Sequence, residues 1–137
     1  MTSGVYPVGL LRILLCIALA ETTYMATADS DHLVVTIEIY DKLQHLLAFY
    51  GLMLLADFAW PHSSLNMTKI MAILGYGAAL ELIQHNLPYR EFSWLDFVAD
   101  GVGVMCYALT VPLLRRLPWL CHRWLQLSPP ACVQAKP

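Results

Sequence analysis

Charge is scarce in this chain. Lysine, arginine, aspartate and glutamate make up 13% of its 137 residues, while 58% are apolar. A soluble domain carries about 25% charged residues, so there is too little polar surface here to coat a water-facing fold of this size. Basic clusters are missing as well: none exceeds Arg115-Arg116, and the formal net charge is -2. That leaves no footprint for nucleic acid, whose binding rests on lysines and arginines that neutralise phosphates. The cysteines Cys16, Cys106, Cys121 and Cys132 lack metal-ligand spacing, and we read them as small apolar residues or free thiols rather than disulfides. Asp41, His45 and Glu81 are the best cation candidates, but their pattern falls short of a metal motif, so no metal or cofactor is expected. There is no nucleophile elbow, no phosphate-cradling glycine loop, no internal repeat and no low-complexity segment.

What the chain does have is long apolar runs. Residues 5–25, 43–60, 67–87 and 95–114 are each near the 20 or so needed to span a bilayer as a helix. The fold class expected is an all-α membrane protein: one domain, a four-transmembrane-helix bundle with short links. Ala26-Thr27-Ala28 resembles a signal cleavage site, but Arg12 already lies inside the first run and no basic segment precedes it. A retained helix is therefore expected, with Arg12 against the bundle or snorkelling to the interface. The acidic link 26–40 has a β-branched centre, Leu33 to Ile37, suited to a short extended or interfacial piece. Trp60-Pro61 closes the second run, since proline has no N–H and clashes with the preceding turn. Gly75, Gly77, Ala78 and Ala79, and later Gly101 and Gly103, suit close helix packing. Residues 118–137 read as an interfacial or flexible tail.

Positive-inside counting orients such a bundle. Arg115, Arg116, Arg123 and Lys136 lie in the tail and Lys69 in the link 61–69, against Lys42 and Arg90 in the other two links. Both termini are then cytoplasmic, and links 26–42 and 86–96 face outward.

The polar residues gather at the ends of the runs. Asp41, Lys42 and His45 open the second, Glu81, Gln84 and His85 close the third, and Arg90, Ser93, Asp96 and Asp100 occupy the next link and the start of the fourth. A down-up-down path brings these three ends to one face of the bilayer. Asp41 and His45 are one turn apart, as are Glu81 and His85, and Asp96 and Asp100. At about 1.5 Å of rise per residue, His45, Glu81 and Asp100 sit just below the mouth, where ionisable groups persist only if paired or wet. Structural ion pairs and helix caps explain this pattern; Ser93 or Asp96 suits the cap of the fourth helix. So does a site that binds a head group or moves a proton, with His45, Glu81 and Asp96 as the acid/base candidates. Asp41 is placed to orient the His45 ring, and Arg90 to pair with Glu81 and Asp96. Asp57 is expected to be solvated, and His32, His62 and His122 to lie at the surface or interface.

These residues carry a resemblance. Asp41-Lys42-x-x-His45-x-x-x-Phe49-Tyr50, then Glu81-x-x-Gln84, then Pro88-x-Arg90-x-x-Ser93-x-x-Asp96 and Gly101 resemble the VanZ-like family of small polytopic membrane proteins. The match spans about residues 40–104. Many members have Asn where this chain has Asp100, which bears on the charge of the cluster. The resemblance implies a multi-helix protein of the bacterial plasma (inner) membrane, in a family named after a teicoplanin-resistance accessory protein. It implies no reaction, but it does imply that Asp41, Lys42, His45, Glu81, Gln84, Arg90 and Asp96 act as one unit.

Three functions compete. The first is a cell-envelope protein that binds a lipid or lipophilic ligand at the outward mouth. The second is an accessory subunit whose small-residue faces dock on a larger membrane complex. The third is an acid/base enzyme acting on an envelope lipid. The small size and the lack of a soluble domain favour the first two.

Overall fold

The computed structural model describes residues 7–28, 38–88 and 93–117. They form four helices: α1 (Val8–Thr27), α2 (Glu38–Ala59), α3 (Met67–His85) and α4 (Trp94–Leu114). No strand occurs among the described residues. The Leu33–Ile37 piece, Arg90, Cys121, Cys132 and the tail 118–137 lie outside them. Cys16 and Cys106 are free thiols.

Helix ends follow local chemistry. α2 begins at Glu38, five residues before the apolar run, so Asp41 and Lys42 are helical. Acidic residues in a first turn face the positive end of the helix dipole, which favours this extension. α2 stops ahead of Pro61, as expected. Asn66 caps α3, its side chain accepting from the Lys69 amide at 3.1 Å. Ser93 holds the cap position of α4 but makes no side-chain cap bond, and Asp96 lies in the first turn. The expectation that Asp96 caps the helix is thus not met: its amide donates to the Ser93 carbonyl instead.

Side-chain bonds fix the direction of each helix. Arg12, early in α1, donates to the Ala59 carbonyl at the end of α2 and lies over the Trp60 ring. Gln84, late in α3, donates to the Ala26 carbonyl near the end of α1. Tyr50 and Thr110 meet between α2 and α4 at 3.2 Å. The path is therefore up-down-up-down, with α2 at the centre, packed against all three other helices and most extensively against α4.

Glycine makes the closest approaches. A Cβ added at Gly103 would collide with the Leu46 carbonyl and lie 3.1 Å from the Tyr50 amide nitrogen. At Gly77 it would meet Asp100 Oδ2 at 2.8 Å and the Phe49 ring at 2.9 Å. Gly75 and Gly101 have open space instead. The expected close-packing role holds for one glycine of each pair; the other is rotated about two residues' worth of helix away from the contact.

The bundle places acids inside and hydrocarbon outside. Asp57, Glu81, Gln84, Asp96 and Asp100 are buried, among a core that includes Phe49, Leu52, Met53 and Tyr107. Ile13, Ile17, Val98, Met105 and Leu109 lie more than half exposed. Exposed apolar side chains in this number mark a membrane or partner interface. α1 and α4 are each long and apolar enough to cross a membrane, by length and composition.

The contrast between the two α4 glycines is testable. Gly103→Ala must push α2 and α4 apart and should cost about 1–3 kcal/mol of stability, in the range of overpacking. Gly101→Ala should be neutral or stabilising by up to about 1 kcal/mol, because alanine is the better helix former. Thermal unfolding of both variants in detergent checks the difference.

Candidate functional site

One end of the bundle collects side chains from three helices. The start of α2 supplies Asp41, Lys42 and His45, the end of α3 supplies Glu81, and the start of α4 supplies Asp96 and Asp100. His45 Nδ1 lies 2.9 Å from Asp100 Oδ1, and Asp100 is only 1% exposed. The sequence pairs His45 with Asp41 by spacing; in the structure the ring bonds across to α4. Lys42 Nζ stands 3.8 Å from Asp96 Oδ1, an ion pair too long for a direct hydrogen bond. One ligand atom each of Asp41, His45 and Asp96 lies within 4.8 Å of the others. The cation set suggested by sequence, Asp41, His45 and Glu81, is corrected accordingly. Asp96 takes the place of Glu81 because α2 packs closer to α4 than to α3.

Glu81 is the unusual member. It is 3% exposed, yet among the described residues neither carboxylate oxygen has a hydrogen-bond partner, and the same holds for Asp96 Oδ1. The Ser93 backbone N–H is directed toward Glu81 but falls short of bonding geometry. Glu81 lies one turn beyond Gly77, and Gly77 abuts Asp100 and Phe49. That face of α3 therefore turns toward the α2–α4 seam. Buried polar groups are normally satisfied, so an orphan carboxylate among other acids needs an explanation other than packing.

Gln84 belongs to a different account. Gln84 is buried but turned away, bonding α1 through the Ala26 carbonyl at 3.1 Å. About two turns earlier on α3, Tyr76 donates to the Leu19 carbonyl and meets the Thr23 hydroxyl, each at 2.8 Å. Gln84 thus helps lace α3 to α1. Arg90, expected to pair with Glu81 and Asp96, lies outside the described residues. His62 is exposed, as expected, while His32 and His122 lie outside.

A second polar cluster at the other end escaped sequence reasoning. Asp57, expected to be solvated, is 0% exposed. Lys69 Nζ meets its Oδ1 at 2.9 Å and the Tyr107 hydroxyl donates to its Oδ2 at 2.8 Å. Lys69 also donates to the Ser63 carbonyl at 2.8 Å and the Trp60 carbonyl at 3.2 Å. The signal was available: a lone acid just before a short link and a lone base just after it must lie side by side in a helical hairpin. Nothing in the sequence marks Tyr107 as their partner. Each of these contacts satisfies a donor or acceptor, so this cluster is structural.

Comparison of the chain with protein-family models, curated proteins and solved structures gives no match.

Removing one partner of a buried pair strands the other. Lys69→Met should therefore destabilise the protein by about 3–5 kcal/mol, while Lys69→Met combined with Asp57→Asn should recover much of the loss. Unfolding midpoints of the two variants in the same detergent give the comparison.

Proposed function

We propose that this chain is a four-span, VanZ-like integral protein of the bacterial inner membrane that binds a lipid head group or lipophilic ligand at its polar mouth. The observation that carries the reading is Glu81. A buried carboxylate with no hydrogen-bond partner among the described residues, set among Asp41, Lys42, His45, Asp96 and Asp100, is a group left for something other than the fold. The other cluster, at Asp57, satisfies itself and needs no ligand. A charged interior beneath an apolar exterior supports the membrane setting, and the apolar lengths of α1 and α4 support two of the four spans. α2 and α3 are read as spans because their ionic groups are turned inward, where pairing offsets the cost of charge in hydrocarbon.

In this reading the outer leaflet supplies the ligand from the side, and Lys42 is the cation that meets its phosphate. His45 is positioned by Asp100 and Glu81 closes the gap from α3. Acid/base turnover of an envelope lipid by His45 with Glu81 or Asp96 is the stronger version of the same idea. The docking-subunit reading loses part of its basis, since Gly77 and Gly103 are used inside the bundle; Gly75 and Ala79 still face outward.

Orientation follows from the basic residues: termini in the cytoplasm, mouth outside. With the native cysteines replaced, a cysteine at Asn86 should react with an impermeant thiol reagent added to intact cells, and one at Ser64 should not. Labelling of Ser64 alone would reverse the assignment.

The site itself is tested by lipid retention. His45→Gln and Glu81→Gln should each lower the lipid-bound fraction seen by native mass spectrometry several-fold, with insertion and helix content unchanged. Wild-type retention in both variants, at equal membrane levels, would remove the binding reading and leave docking as the better one.

A further inference from the structure

Four carboxylates, Asp41, Glu81, Asp96 and Asp100, converge at the polar mouth against Lys42 and His45 among the described residues. Not all of them are engaged. Asp100 is held by His45, and Lys42 approaches Asp96 only to 3.8 Å. Asp96 Oδ1 and both oxygens of Glu81 have no hydrogen-bond partner among the described residues, although Glu81 is 3% exposed. An unpaired carboxylate removed from water is costly, and a bound cation supplies both the missing charge and the missing contacts.

From this geometry we propose that Asp41, His45 and Asp96 bind a divalent cation, with Glu81 closing the site from α3. One ligand atom from each of the three lies within 4.8 Å of the others. Ligand atoms around a tetrahedral zinc-sized ion at about 2.0–2.2 Å are separated by roughly 3.3–3.6 Å. Side-chain adjustment of about 1–1.5 Å therefore brings the three onto one ion. The helices beneath them are already fixed, because Gly103 seats α4 on the α2 backbone at Leu46, next to His45. The His45–Asp100 bond fits the same purpose. A ligating histidine characteristically donates its other ring N–H to a carboxylate, which sets tautomer and ring orientation. With Nδ1 turned to Asp100, Nε2 is the ring's remaining ligand atom. One imidazole with carboxylate oxygens suits zinc or manganese; an all-oxygen set would suit calcium or magnesium, and sulfur ligands would suit copper(I).

The inference rests on the reading of this cluster as a binding site, though not on the identity of any organic ligand. Its test uses the full chain in detergent, stripped with a chelator and titrated calorimetrically with zinc chloride and manganese chloride in the absence of added lipid. Saturable binding of one ion per chain is expected. Asp41→Asn and Glu81→Gln should each weaken it by at least about 10-fold, while Glu21→Gln, on the exposed side of α1, should leave it unchanged. Should Glu81→Gln fail to fold, Asp41→Asn, at the half-buried rim, carries the test. Absence of saturable binding, or equal affinity in Asp41→Asn and wild type, overturns the proposal. Loss of lipid retention in His45→Gln together with no metal binding would sink the cation while sparing the lipid site. Metal binding with unaltered lipid retention would do the reverse.

Discussion

The approach of α4 to α2 at Gly103 is the constraint on which the arrangement depends. Only a hydrogen in place of a side chain lets the α4 backbone lie on the Leu46 carbonyl. Asp100 is one turn earlier on α4, and His45 adjoins Leu46 on α2. The backbone contact therefore sets the distance across which the imidazole and the carboxylate bond. The same seam, followed down α2, brings Tyr50 to Thr110 and Asp57 to Tyr107. A short, polar-laced interface results, with charged groups at both ends and Phe49, Leu52 and Met53 fully enclosed between.

Burial of this kind reverses the usual distribution. Asp57, Glu81, Asp96 and Asp100 lie within the bundle, while isoleucine, leucine, methionine and tryptophan cover its outside. The two ends resolve the resulting electrostatic problem differently. At the Asp57 end a lysine, a tyrosine and several carbonyls satisfy one carboxylate. At the His45 end the acids outnumber the bases among the described residues, and the deficit falls on Glu81. That asymmetry separates a structural cluster from a candidate site more firmly than residue type does.

Much of this was legible in the sequence. Helices α1, α3 and α4 begin and end within three residues of the apolar runs, because proline, asparagine and serine mark the stops and starts. Convergence of Asp41, Lys42, His45, Glu81, Asp96 and Asp100 followed from short links, which leave adjacent helices no choice but to run antiparallel. Rotation about each helix axis was not legible. Spacing along one helix assigns partners on that helix, so it gave His45 to Asp41, although the stronger partner came from α4. It also treated Gly75 and Gly77 alike, although they lie on different sides of α3. Asp57 was misplaced for a related reason. Its nearness to the end of an apolar run suggested water, but its side of the helix faces Lys69 and Tyr107.

The hydrogen bonds divide the four helices into two leaves. Tyr76 with Thr23 and Leu19, and Gln84 with Ala26, stitch α3 to α1. His45 with Asp100, Tyr50 with Thr110 and Tyr107 with Asp57 stitch α2 to α4. Two side-chain bonds that cross from one leaf to the other, Arg12 to Ala59 and Lys69 to Asp57, lie at the end away from His45. The two leaves are therefore joined by unlike means at their two ends: by side-chain hydrogen bonds beside Asp57, and beside His45 by the close packing of Gly77 of α3 on Asp100 and Phe49.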